Sequence, residues 1–190
     1  MPEALFNGPP ATQMMQEAAR NAREDIRKLT DQEVENPSIA GETEEIIRRR
    51  TINVPEILHK DIVCRRVTSK RTIREFGSHR VVDHDELQWM IPFRGDSSAL
   101  RVSPTSAVGI SSRYEVVGQH IQFITEDNES ADSAGEGIIA NIETNLSALR
   151  KNFADQKSTL SLAIESELSA RRALIKERRE RDSKSKFRRI

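Results

Sequence analysis

From Ala11 onward the apolar positions recur at intervals of three and four. Met15, Ala18, Ala22, Ile26 and Leu29 fall on one line, and Glu17, Arg20, Glu24, Arg27 and Lys28 cover the other side. That spacing predicts an amphipathic helix with a narrow apolar stripe, capped at Thr12 and running out near residue 34. "ENPSIAGE" breaks it, because Pro37 disfavours helix just before it and Gly41 adds freedom. "ETEEIIRRR" predicts a short second helix, acidic at its start and basic at its end as the dipole prefers.

Beyond "TINVPEILHKD" the period changes to two. "DIVCRRVTSKRTIREF" is β-branched and rich in Arg and Lys, which predicts a strand with an exposed face. In "ELQWMIPF", Leu87, Trp89, Ile91 and Phe93 share one face, and the glycine of "FGSH" predicts a hairpin between these two strands. "RGDSSA" reads as a loop. "ALRVSP", "SAVGISS" and "YEVVGQHIQFITE" predict shorter strands, with a tight turn at Gly118. The expected sheet is antiparallel, with four to six strands between about 62 and 126.

"EDNESADSAGEG" reads as an acidic loop. Ile139, Ile142, Leu146, Leu149 and Phe153 then step by three and four, a heptad-like seam. "ADQKST" has no Pro or Gly, so a bend or short connection is expected there. Leu160, Ile164 and Leu168 begin a second stripe. The fold class is therefore α+β: an antiparallel sheet flanked by an N-terminal amphipathic helix and a long C-terminal helix pair or bent helix. The expected division is a flexible leader 1–10, a helical segment 11–51, a β domain 52–130, long helices 131–182 and a basic tail 183–190.

Composition fits a small core with much solvated helix surface. Hydrophobic residues make up 36% and charged residues 32%, against about 45–50% and about 25% in an average globular domain. Net charge is zero but unevenly spread: Arg171–Ile190 holds ten Lys/Arg against three Asp/Glu. Such an end can meet an anionic partner, fold back on its own body or join a neighbouring copy. The single cysteine, Cys64, excludes an intramolecular disulfide and a cysteine-based zinc site. The first residues lack the pattern of a signal peptide and no apolar run suits a membrane span, so a cytoplasmic location is expected.

The densest chemistry is "HRVVDHDE", His79 to Glu86. A metal-dependent hydrolase would use His79, Asp83, His84 and Asp85. In an extended strand, however, the two histidines stand about 17 Å apart on opposite faces. Asp83 and Asp85 share parity with Trp89, so a continuous strand would bury two carboxylates, and the strand is expected to begin after them. A solvated hairpin segment is the reading adopted. His59 and His120 are isolated, Ser106, Ser111 and Ser112 lack a nucleophile elbow, and no P-loop or dinucleotide fingerprint occurs. "GEG" at 135–137 reads as a plain helix start. No catalytic, cofactor or metal residue is assigned.

"IPFRGDSSALRVSPTSAVGISSRYEVVGQHIQFITE" followed by "NIETNLSALRKNFADQKSTLSLAIESELSARRALI" resembles an uncharacterised accessory region of bacterial proteins. There a strand pair, a segment like G-D-x-x-x-L-x-x-x-P-S and a hairpin precede a helix–break–helix ending in an Arg-rich run. Gly95, Asp96, Leu100, Pro104 and Ser106 (displaced by Thr105) match it, with Phe153 near the break and Arg171 and Arg172 at the end. Such regions precede effector domains, Toll/interleukin-receptor-like ones included, in antiphage defence proteins. The resemblance spans residues 11–182, carries over no catalytic residue, and implies a stand-alone relative or the front of a longer chain.

The expected function is a non-enzymatic protein-interaction or oligomerisation module, regulatory or sensing in bacterial defence. It would act as a homo-oligomer or with a partner protein, through Ile139, Ile142, Leu146, Leu149 and Phe153. The alternative is nucleic-acid contact through Arg171, Arg172, Arg178, Arg179, Arg181, Lys184, Lys186, Arg188 and Arg189, joined by Arg65, Arg66, Lys70 and Arg71.

Overall fold

A computed structural model describes residues 5–75, 78–109 and 114–184. In chain order the elements are α1 (Ala11–Lys28), α2 (Asp31–Glu35), α3 (Ile39–Arg50), β1 (Glu56–Ile57), β2 (Val63–Glu75), β3 (Ser78–Arg94), β4 (Tyr114–Val117), β5 (His120–Glu126), α4 (Ala131–Asn152) and α5 (Gln156–Ser183). The chain is α+β, as expected. It divides into two compact units, Met1–Ala11 with Asn53–Asn152 and Thr12–Ile52 with Phe153–Ile190.

In the first unit every strand pairing is antiparallel, and β3 is the centre. β5 lies along one edge of β3, with β4 beyond it, and β2 and β1 follow each other along the opposite edge. Pro92 is tolerated within β3 because it falls in the gap between them. β2 pairs as far as Met90 and β1 starts at Phe93. There only the Pro92 carbonyl is used, accepting from Leu58 N–H at 2.9 Å. Gly118 turns the β4–β5 hairpin at φ +59°, a conformation that favours glycine.

Period two gives the sheet one apolar face. Trp89, Ile91, Phe93, Ile121, Phe123 and Tyr114 are all buried. The Trp89 and Phe123 rings stack at 5.8 Å, and Trp89 Nε1–H donates to the buried Thr125 hydroxyl at 3.1 Å. α4 contributes Ile142, Leu146 and Leu149 to the buried set.

Several boundaries differ from expectation. β3 is continuous through "DHD" for 17 residues. Asp83 and Asp85 escape burial because β5 pairs only with Glu86 to Pro92, so both carboxylates lie outside the covered part of the sheet. "ALRVSP" is no strand. Asp96 accepts from Ser98 N–H at 2.9 Å and caps a 3-10 turn over Ser97–Arg101, which buries Ala99 and Leu100. The described part of "SAVGISS" is no strand either. Asn145 of α4, fully buried, accepts from Val108 N–H at 2.8 Å and donates to its carbonyl at 2.9 Å. A side-chain amide thus replaces a strand ladder. Ser111, Ser112 and the expected turn glycine Gly77 lie outside the described residues.

The leader belongs to the first unit. Phe6 N–H donates to Leu100 and Gly8 N–H to Arg101, both at 2.7 Å, and Phe6 is buried. Asn128 accepts from Ser130 N–H at 3.0 Å and α4 begins at Ala131, so the "ADSAGEG" part of the acidic stretch is helical. "GEG" therefore lies inside the helix.

The second unit is helical. α1 ends at Lys28 instead of near 34, because "TDQE" makes a capping box. Thr30 N–H donates to Glu33 Oε2 at 2.6 Å and Glu33 N–H donates to Thr30 Oγ1 at 3.3 Å, which starts α2. Ala18, Ala22, Ile26, Val34, Ile46, Leu160, Ile164, Leu168 and Ile175 form one buried cluster. Gln156, also buried, accepts from Ile52 N–H at 3.0 Å and donates to the Arg50 carbonyl at 3.3 Å.

Candidate interaction surface

The seam expected to mediate association is already covered within the chain. Ile142, Leu146 and Leu149 are at most 1% exposed and Phe153 is buried, while Ile139 is half-buried. Its helical period is real, but the apolar stripe is spent on the chain's own core.

The arginines of α5 are similarly occupied. Arg171 donates to the carbonyls of Ile26 and Arg27 at 3.0 and 3.2 Å, to that of Leu29, and to Asp31 Oδ1 at 2.9 Å. It therefore gathers the carbonyls around the end of α1, of which that of Ile26 also accepts from Leu29 N–H at 3.2 Å. Arg172 reaches the Val34 carbonyl at 3.4 Å. Arg178 pairs with Asp31 at 2.9 Å, and Arg179 pairs with Glu35. Arg181 lies 3.9 Å from Glu177. Lys184 is exposed; Lys186, Arg188 and Arg189 lie outside the described residues. The described part of the basic run thus folds back on its own unit through Asp31 and Glu35, one of the three outcomes its charge allowed.

A different feature stands open. The β2–β3 hairpin outruns the sheet: β5 pairs no further than Glu86, Asp127 N–H still donates to the Asp85 carbonyl at 3.2 Å, and beyond that seven pairs continue from Ser69–His84 to Glu75–Ser78. At roughly 3.3 Å per residue this is a two-stranded arm of about 23 Å. Among its described side chains, Lys70, Arg71, Thr72, Ile73, Arg74, His79, Arg80, Val81 and Asp83 are exposed, while Ser69, Val82 and His84 are half-buried. Val81 is 60% exposed. Between Cys64 and Val82 the sequence holds six Lys/Arg and one carboxylate.

Along the arm the cations differ in their partners. Near the sheet, Arg65 donates to Gln88 at 2.8 Å, Arg66 pairs with Asp127, and Arg71 lies 3.7 Å from Glu126. Further out, Arg74 and Arg80 make no ion pair among the described residues, while Lys70, nearer the sheet than Arg71, stands across from Asp83. The carboxylates collect elsewhere in the same unit. From Glu115 to Glu143 there are seven Asp/Glu and no Lys or Arg. Of these, Glu129, Asp132 and Glu136 are exposed and have no ion pair among the described residues.

The candidate chemistry of "HRVVDHDE" becomes part of the arm. His79 opposes Arg74 and His84 opposes Ser69, so the two rings lie on opposite faces. Asp83 opposes Lys70, and Asp85 accepts from Thr68 at 2.8 Å. Among the described residues no group of three or more His, Cys, Asp or Glu is placed to hold a metal ion. His59 pairs with Glu143 at 2.6 Å and His120 is exposed. Partial burial raises the Cys64 thiol above its ordinary pKa, and the nearby charges of Asp132 and Asp127 raise it further. It is therefore a poor nucleophile at neutral pH, though exposed. A groove beside α4, lined by Ser106, Ala140, Glu143, Thr144, Ser147 and Lys151, is open to solvent.

No helix of the described residues is long and apolar enough to cross a membrane. Comparison with protein-family models, curated proteins and solved structures finds no match.

Proposed function

We propose that this chain is a non-enzymatic interaction and oligomerisation module whose contact element is the β2–β3 arm. The resemblance to accessory regions that precede effectors suggests a regulatory or sensing role in bacterial defence. One observation carries the reading: the seven outer pairs of the arm have no third strand among the described residues, and most of their described side chains are exposed. An isolated two-stranded hairpin is marginal in water at best. An arm of this length gains order when a partner covers it.

Light scattering on the full chain across a concentration series tests the proposal, beside a variant with residues 70–83 replaced by Asn-Gly. That dipeptide closes Ser69 onto His84 with a two-residue turn. Association that is present in the full chain and absent from the shortened one is expected. A full chain that stays monomeric throughout, with no partner co-purifying, would end the proposal.

A further inference from the structure

Resting on that reading, the geometry points to a second copy of this chain as the arm's partner, with the outer cations Arg74 and Arg80 seated on Glu129, Asp132 and Glu136 of the neighbour. Both surfaces are present in one unit and are opposite in sign. They hold six Lys/Arg between Cys64 and Val82, and seven Asp/Glu without a cation between Glu115 and Glu143. The two segments already pair at the root of the arm, in Arg66 with Asp127 and Arg71 with Glu126. The contact between copies repeats this chemistry further along both.

Reach decides why it takes a neighbour. Arg71 meets Glu126 only at 3.7 Å, and Arg74 stands three residues beyond it, roughly 10 Å further out. That separation is close to a Debye length at physiological salt, about 8 Å, so Glu126 and Asp127 act weakly there, and the six cations between Cys64 and Val82 outnumber the one carboxylate of that segment, Glu75. In a neighbour they are free to approach. Reciprocal exchange of arms closes a two-fold dimer; the same contact made head to tail extends into a chain of copies. Glu129, Asp132 and Glu136, exposed and without an ion pair among the described residues, repel a phosphate backbone, which favours a protein surface over nucleic acid as the occupant.

The test is a charge exchange read by sedimentation velocity with the full chain. One variant carries Arg74→Glu and Arg80→Glu, the other Glu129→Lys, Asp132→Lys and Glu136→Lys; circular dichroism of each checks that it folds. Wild-type association should weaken at least about tenfold between about 0.05 M and about 0.5 M salt, because the contact is between exposed charges. Each variant alone should be monomeric at low salt, and their mixture should associate again. If the arm-shortened protein loses association while the charge variants keep it, the arm is the contact but the acidic surface is not its seat, and this inference fails alone. A monomeric wild type that binds a duplex oligonucleotide at low salt through the same arm would also overturn it.

Discussion

Gly135 of α4 lies directly against the ring of Trp89: a Cβ at position 135 would stand 2.2 Å from Trp89 Cζ2. The ring cannot step aside, since it stacks on Phe123 and donates to Thr125. Gly135→Ala ordinarily gains about 1 kcal/mol of helix propensity. Here overpacking outweighs that gain, and a net loss of about 1–3 kcal/mol is expected. Urea unfolding followed by the fluorescence of this single tryptophan measures it directly.

Leu146→Asp places a charge in a side-chain site 1% exposed. An unpaired buried carboxylate of this kind costs more than about 4 kcal/mol. The substitution is therefore expected to unfold the first unit, with loss of circular dichroism, whatever the protein concentration. A folded monomer would instead return this seam to candidacy as the interface.

Arg171→Lys tests the fold-back of the basic run. Its guanidinium serves three carbonyls and a carboxylate at once, a geometry an ammonium cannot reproduce. A loss of about 2–3 kcal/mol in denaturant unfolding is expected. Arg181→Ala, whose one ion pair among the described residues is a 3.9 Å contact at the surface, should lie within about 0.5 kcal/mol of wild type.

Much of this was legible in the sequence, and the failures have identifiable physical causes. Period two in "ELQWMIPF" marks the buried face, and the three–four steps from Ile139 to Leu149 mark the buried side of α4. Periodicity reports that a stripe is buried and leaves open what buries it, so the seam read equally well as an interface. The strand start after "DHD" failed because parity rules assume a sheet covered along its whole length, and the arm outruns its cover. The Thr30 capping box was visible as "TDQE" but was overshadowed by the continuing helical period. Asn145 and Gln156 carry no local signal, because their partners at Val108, Arg50 and Ile52 are remote in sequence.

Acid should loosen the second unit. The hydrogen bond from Arg27 holds the Glu167 carboxyl below its ordinary pKa, and the Thr30 backbone N–H does the same for Glu33. Both groups bind protons more readily unfolded. Their stabilisation is complete above the ordinary carboxylate pKa and is lost as pH falls through the lowered values. The denaturation midpoint of the full chain should therefore drop between about pH 7 and about pH 3, and in Glu167→Gln it should drop less.

Hydrogen exchange of the arm's amides at several protein concentrations reports whether a partner covers the arm. If the arm is a contact element, amides in residues 69–75 and 78–84 should become protected as concentration rises, while those of α5 stay unchanged. Exchange in the arm that is equally fast at every concentration, in a preparation with no bound partner, would contradict it.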